Sequence, residues 1–295
     1  LEFALAGLNV RIHDVSRDKL NIAMSNIGKD LSMLVDAGLI TQSESGEAAQ
    51  RILPIVTLEE AVDADLVVEA VFENLQIKQS IFSRLDEICP PRTILASNTS
   101  TLLPSSLASA TQRPDKVLVT HYFNPPYLLP LVEVVRGKET SDETITTIIE
   151  FLKKIGKAPA LVQKEVPGFI GNRLQIALLR EALALVEEGV ASPADVDVVI
   201  KNSFGRRLSA AGVFEVFELA GWDLIQEIAG NLLPSISSSR QVSPLLNDMV
   251  RKGELGTKTG KGFYSWNPES AEALRLRIAD RLIQIQKSSQ NKMLQ

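Results

Sequence analysis

Of the two histidines in this 295-residue chain, His121 ends a strand-like run, 117–123, and is followed by Asn124-Pro125-Pro126. Ligands of open α/β sheets bind at strand ends. Glu133 lies within Leu131-Val132-Glu133-Val134-Val135, an apolar strand with no evident reason to bury a lone carboxylate. A charge placed there needs a partner, or it gives up its charge. His121, twelve positions earlier across a proline-rich turn, is the nearby candidate. A histidine oriented and supported by a carboxylate is the usual acid–base pair. The alternative is a surface glutamate on an edge strand beside an unrelated, satisfied histidine.

Other side chains carry weaker signals. Ser97-Asn98-Thr99-Ser100 follows the strand-like run 93–97, and hydroxyl and amide groups clustered there suit a carbonyl or hydroxyl substrate. They serve equally well as turn formers and helix caps. Asp14 ends the strand-like run 8–14, the place from which an acid grips the adenosine ribose of a dinucleotide, although a turn role is open to it too. Asn172, in Gly168-Phe169-Ile170-Gly171-Asn172-Arg173, faces a cleft or solvent. His13 reads as a strand-end residue and Cys89 as a small buried or turn residue. The Gly/Lys/Thr-rich segment 252–262 lacks the spacing of a P-loop.

The elements that must position these groups fall into two regions. Strand-like runs at 8–14, 66–71, 93–97, 117–123, 131–135 and 158–163 alternate with helical patterns such as 16–37, 74–88 and 141–155. Several runs are nearly continuous in apolar residues, as in strands covered on both faces of a largely parallel sheet. The pattern is that of a doubly wound, Rossmann-type α/β domain over 1–164. After Lys164-Glu165-Val166-Pro167-Gly168 the strand pattern stops, and 165–295 reads as an all-helical domain for substrate and dimer contacts. Its helices are expected at 169–188, from Ser192 onward, and at 214–233, 243–252 and 271–287. Leu178, Leu179, Leu183, Phe214 and Phe217 suit a helical dimer interface or an ordinary bundle core.

Residues 1–7 read as the end of a helix leading into the strand that ends at Asp14. In a dinucleotide-binding unit a strand and a G-x-G-x-x-G turn come before such a helix. The expectation is a chain shortened by that strand and glycine loop, about 20 residues on the usual spacing.

Composition narrows the classes further. Hydrophobic residues make up 45% and charged residues 23%, an ordinary globular mix. Lys and Arg number 31 against 36 Asp and Glu, net −5 and dispersed, which disfavours nucleic acid and membrane surfaces as partners. No apolar run approaches the roughly 18–20 residues of a membrane span. The single cysteine forbids an intrachain disulfide, and two histidines leave little for a metal site, so no metal is expected. The expected setting is intracellular and cytoplasmic.

Taken in order, DLVVEAVFEN (65–74), ASNTS (96–100), HYFNPP (121–126), LVEVV (131–135), VPGFIGNRL (166–174) and TKTGKGFY (257–264) resemble the L-3-hydroxyacyl-CoA dehydrogenase family over nearly the whole chain. The resemblance implies hydride transfer from C3 of an acyl-CoA thioester to NAD, with His121 as general base and Glu133 orienting it. It further implies that Ser100 and Asn172 hydrogen-bond the reacting oxygen and position the acyl group. Asp14, Glu73, Asn98 and Lys258 would face NAD, and the protein would be a homodimer of fatty-acid β-oxidation. The chain departs from the family at Leu34–Leu39, where no lysine stands for the CoA phosphates, and in the longer stretch Gly205–Glu215. NPPYLLPLVE (124–133), VQKEVPGF (162–169) and VEEGVASPADVD (186–197) are similar to the lambda-crystallin branch, which oxidises the free acid L-gulonate. On that branch Arg206 or Arg207 would pair with a substrate carboxylate. A non-catalytic NAD-binding protein on the same fold is the third reading.

Overall fold

The structure, a computed structural model, describes residues 1–293. It divides into two compact units: Leu1–Gly171 together with the chain from Leu276, and Asn172–Arg275.

The first unit alternates strand and helix. Its elements are α1 (Glu2–Leu5), β1 (Val10–His13), α2 (Arg17–Asp36), α3 (Gln42–Gln50), β2 (Ile52–Ile55), β3 (Leu66–Glu69), α4 (Leu75–Ile88), β4 (Ile94–Ser97), α5 (Pro104–Ala108), β5 (Val117–Tyr122), β6 (Leu131–Arg136), α6 (Asp142–Lys154) and β7 (Ala158–Val162). Local chemistry sets the helix starts. Ser16, Asn74 and Ser141 each accept a backbone N–H of the first turn of α2, α4 and α6, and Thr41 and Glu44 form a reciprocal capping box on α3. Asp142 and Glu143 open α6 while Lys153 and Lys154 close it, in accord with its dipole.

Strands β3 to β7 form one sheet in sequential order, parallel except where β6 runs antiparallel to β5. Side chains alternate between its two faces, as the strand period requires. Leu95, Val117, Val119 and Val135 pack with Phe82 and Leu85 of α4 and Leu107 of α5. Ile94, Ala96, Leu118, Val132 and Val134 pack with Ile145, Ile148 and Leu152 of α6. Burying a large apolar side chain contributes roughly 1.5–3 kcal/mol, so this two-sided core fixes the register that carries the site. β1 and β2 form a separate parallel pair, cored by Ala4, Leu31, Ala48 and Ile52. The sequence pattern does not foretell β2, because Pro54 interrupts it; proline is tolerated here because, among the described residues, β2 pairs with β1 alone.

The second unit is helical: α7 (Gly171–Glu187, entering from the first unit), α8 (Pro193–Asn202), α9 (Phe204–Arg207), α10 (Val213–Glu218), α11 (Trp222–Leu232) and α12 (Pro244–Arg251), followed by α13 (Pro268–Met293), which ends in the first unit. The single helix expected over 214–233 is two, parted at Gly221, whose φ of 88° ends a helix. The unit boundary also differs from the expected 164/165. Phe169 is fully buried in the sheet core, so the linker through Gly171 belongs with the sheet. Residues 276–293 cluster with the first unit.

Candidate active site

The antiparallel pairing of β5 with β6 sets His121 directly opposite Glu133. His121 Nδ1 lies 2.8 Å from Glu133 Oε2, and both residues are buried, at 5% and 1% exposure. The other carboxylate oxygen, Oε1, accepts the backbone N–H groups of Ile170 at 2.9 Å and Gly171 at 2.8 Å. Burial alone would push the Glu133 carboxyl up; the hydrogen bond from His121 and the two amides outweigh it and hold the group below the usual carboxylate range. An ionised carboxylate only accepts, so in the neutral imidazole the proton sits on Nδ1 and Nε2 presents a lone pair. That lone pair meets Ser100, whose Oγ lies 3.2 Å from Nε2. The rings of Phe123 and Phe169 stand edge-on to the imidazole, with centroids at 4.9 and 5.6 Å. A base backed by an anion and walled by aromatic rings can take a proton from a hydroxyl held beside Ser100.

Ser100 is itself held by its neighbours. Glu73 accepts the hydroxyl of Thr99, the amide of Thr101 at 3.1 Å and the hydroxyl of Thr101 at 2.7 Å, clamping both residues that flank Ser100. Partial burial pushes the Glu73 carboxyl up, but the threonines and Lys78 more than offset it and keep it low. Asn98 ties three strand ends together: its amide N–H donates to the Glu69 carbonyl at 2.7 Å, and its Oδ1 accepts the Tyr122 N–H at 2.9 Å. Thus Ser100, His121, Glu133, Glu73 and Asn98 come together at the ends of β3, β4 and β5 and the start of β6. Asp14 follows β1 in the same unit, half-buried, with Oδ1 accepting the Ser16 N–H at 2.8 Å.

Asn172 and Lys258 lie in the second unit. Asn172 is half-buried in the first turn of α7, and Lys258 is exposed in the segment before α13. Arg206 and Arg207 close α9, also exposed.

The donor set fits the two ribose ends of a nicotinamide dinucleotide. Asp14 Oδ2 carries no hydrogen bond among the described residues and offers an anionic acceptor to a ribose diol, while Glu73 and Asn98 border the site on the His121 side. No G-x-G-x-x-G turn occurs in this sequence to cradle a pyrophosphate.

Sequence reasoning missed several groups. Glu69 and Lys78 form a buried ion pair, and Ser97 Oγ donates to Glu69 Oε2 at 2.6 Å. The signal was present: Glu69 is a lone acid in an apolar strand, just as Glu133 is, with a lysine nine positions on. Phe123 and Phe169 read only as apolar residues, and the amides of Ile170 and Gly171 have no side-chain signature.

Comparison with known proteins places the chain in a family. Residues 1–166 match the family model for the 3-hydroxyacyl-CoA dehydrogenase NAD binding domain, and 168–266 match the C-terminal domain of that family. The chain is 37% identical over 267 residues to a probable 3-hydroxybutyryl-CoA dehydrogenase of Bacillus subtilis, covering 90% of this chain and 92% of that protein. It is 39% identical over 219 residues to the human lambda-crystallin homolog, covering 74% and 69%. The crystal structure of an NAD+-dependent 5-formyl-3-hydroxy-2-methylpyridine 4-carboxylic acid 5-dehydrogenase superposes with a TM-score of 0.90 at 30% identity, covering 97% of this chain and 92% of that one. On this ground, and on the α/β sheet followed by helices, the chain belongs to the 3-hydroxyacyl-CoA dehydrogenase family, whose first domain binds NAD.

Proposed function

We propose that the chain oxidises the 3-hydroxyl of an L-3-hydroxyacyl-CoA to the 3-ketoacyl-CoA with NAD+. The observation that carries this reading is the line Glu133–His121–Ser100, with bonds of 2.8 and 3.2 Å. Bound NAD+ supplies the hydride acceptor, which Asp14, Glu73, Asn98 and Lys258 would hold. His121 Nε2 takes the hydroxyl proton as the C3–H bond breaks and the C3=O bond forms. Glu133 remains ionised and stabilises the imidazolium that results. On substrate binding Ser100 turns its hydroxyl from Nε2 to the reacting oxygen, which frees the Nε2 lone pair for the substrate proton, and Asn172 positions the acyl group.

The second reading is oxidation of a free hydroxy acid, with Arg206 or Arg207 on its carboxylate. Two observations favour it: the superposition with a dehydrogenase of a carboxylic acid, and the absence of lysine over Leu34–Leu39. The deciding experiment measures NADH oxidation with acetoacetyl-CoA beside NAD+ reduction with L-gulonate. Turnover of the thioester alone establishes the first reading; turnover of the acid alone establishes the second. NADH binding with turnover of neither leaves a non-catalytic NAD-binding protein.

The helical unit calls for a second copy of the chain. Of its large side chains only Leu183 is buried in the unit, at 7% exposure. Leu174, Leu178, Phe214, Trp222 and Leu232 are exposed at 43–76%. Apolar area of this kind marks an interface. A homodimer in solution, read by light scattering, is the expected state, and a stable monomer would refute it. Among the described residues no helix is long and apolar enough to cross a membrane. A reducing, cytoplasmic setting and a place in fatty-acid β-oxidation go with the thioester reading; the one cysteine, Cys89, is buried with its thiol on the Ala61 carbonyl.

A further inference from the structure

The loop that leads into α7 has an unusual backbone. Gly168 and Phe169 are successive left-handed residues, with φ of 76° and 49°. Glycine adopts that region freely, but phenylalanine does so only under constraint. The constraint is visible: Phe169 is fully buried in the sheet core, its N–H donates to the Val166 carbonyl at 3.1 Å, and its ring stands edge-on to His121. Strain of this kind persists where the surroundings over-determine it, and it gathers at working sites. Its consequence here is directional. The next two amides, of Ile170 and Gly171, turn the same way and both donate to Glu133 Oε1. Two adjacent amides at the start of a helix form an anion cradle, and the anion held is the protein's own carboxylate.

We propose that the loop Gly168–Gly171, which ends at the first residue of α7, is a working part of the acid–base pair. The Ile170 and Gly171 amides, aimed by Gly168 and Phe169, hold Oε1 so that Oε2 stays on His121 Nδ1. Gly168 and Gly171 are then positioning residues for the reaction. The inference rests on the reading of His121 and Glu133 as the acid–base pair. A carboxylate held on one side only by an imidazole can rotate or pair elsewhere; one pinned at both oxygens cannot, so the ring keeps its tautomer and aim through the catalytic cycle.

Two substitutions at one position isolate the amide. Gly171→Ala and Gly171→Pro both add a Cβ that displaces the Phe123 ring, but only proline removes the N–H. Proline is tolerated at the first position of a helix, where Gly171 stands. The expected result is a kcat for Gly171→Pro about tenfold or more below that of Gly171→Ala, with KM for substrate and NAD within about twofold. In a Glu133→Gln background the two variants should turn over equally, because the charge that the amide serves is gone. Equal turnover of the two in the native background, or an undiminished gap in the Glu133→Gln background, overturns the proposal. The second outcome would place the effect elsewhere on α7, for instance at Asn172. Should Gly171→Pro fail to fold, Gly168→Ala takes its place, since a Cβ at φ 76° strains the loop that aims both amides; it is compared with the native chain in both backgrounds. If Glu133→Gln and His121→Gln themselves turn over normally, the acid–base reading has failed, which is a different result from failure of the cradle.

Discussion

Glu69 and Lys78 are each 1% exposed, and their charged groups meet at 2.7 Å. The pair sits at the end of β3, and its remaining bonds explain why it survives there. Glu69 accepts the Val71 N–H at 2.6 Å and the Ser97 hydroxyl at 2.6 Å; Lys78 also donates to the Val71 carbonyl at 3.1 Å and lies 3.5 Å from Glu73. β3, α4 and β4 are thereby locked at the edge where Glu73 clamps the Ser100 turn.

Taking away one partner of such a pair strands a buried charge. Lys78→Met is expected to cost about 3–5 kcal/mol in urea denaturation, whereas the double variant Glu69→Gln/Lys78→Met recovers much of the loss. A loss under about 1 kcal/mol for the single variant would show that Ser97 and the Val71 amide satisfy Glu69 unaided.

The acid–base role is tested at the imidazole. His121→Gln keeps a side chain that can hydrogen-bond but cannot take a proton at neutral pH. Turnover should fall by about 10²–10⁴, the range for loss of a general base, while NADH affinity measured by fluorescence titration stays within about twofold. Near-native turnover would remove His121 from the mechanism.

What the sequence disclosed of this site depended on the kind of group. His121 and Glu133 were legible because a carboxylate in an apolar strand demands a partner, and antiparallel pairing then brings the two residues opposite each other. Strands β3 to β7 were legible because burial on both faces writes itself as continuous apolar runs. β2 was not, since Pro54 breaks its pattern, and neither was the break at Gly221, since apolar residues continue at helical spacing on both sides of it. The amide cradle could not be read at all. It is made of backbone, and one of the two residues that turn it is a phenylalanine held in a glycine-like conformation by its burial.

The low-lying carboxyl of Glu133 has a consequence for stability. Its folded value lies below the usual 4.5, so its contribution is complete above about pH 4.5 and is lost as pH falls through the folded value. Glu133→Gln lacks that contribution at every pH. The gap in melting temperature between the native chain and Glu133→Gln should therefore be constant from neutral pH down to about pH 5 and narrow steadily below it. A gap that holds at its neutral value down to about pH 3 would mean that protonation of Glu133 does not loosen the pair.

On the proposed reading, Asp14 selects the dinucleotide that the protein accepts. Its Oδ1 is committed to the Ser16 amide in a turn, and Oδ2 is left for a ribose hydroxyl. A carboxylate there accepts from the 2′-hydroxyl of NAD and repels the 2′-phosphate of NADP. Asp14→Ala should weaken NADH binding about tenfold, near 1.4 kcal/mol, by removing one charged hydrogen bond. NADPH binding should be unchanged or tighter, since the repulsion goes with the charge, so the ratio of the two dissociation constants must shift toward NADPH. Both are measured by titrating nicotinamide fluorescence on the same preparation. If NADH binds as before and the ratio does not move, Asp14 serves only its turn with Ser16, and the ribose is held by another group.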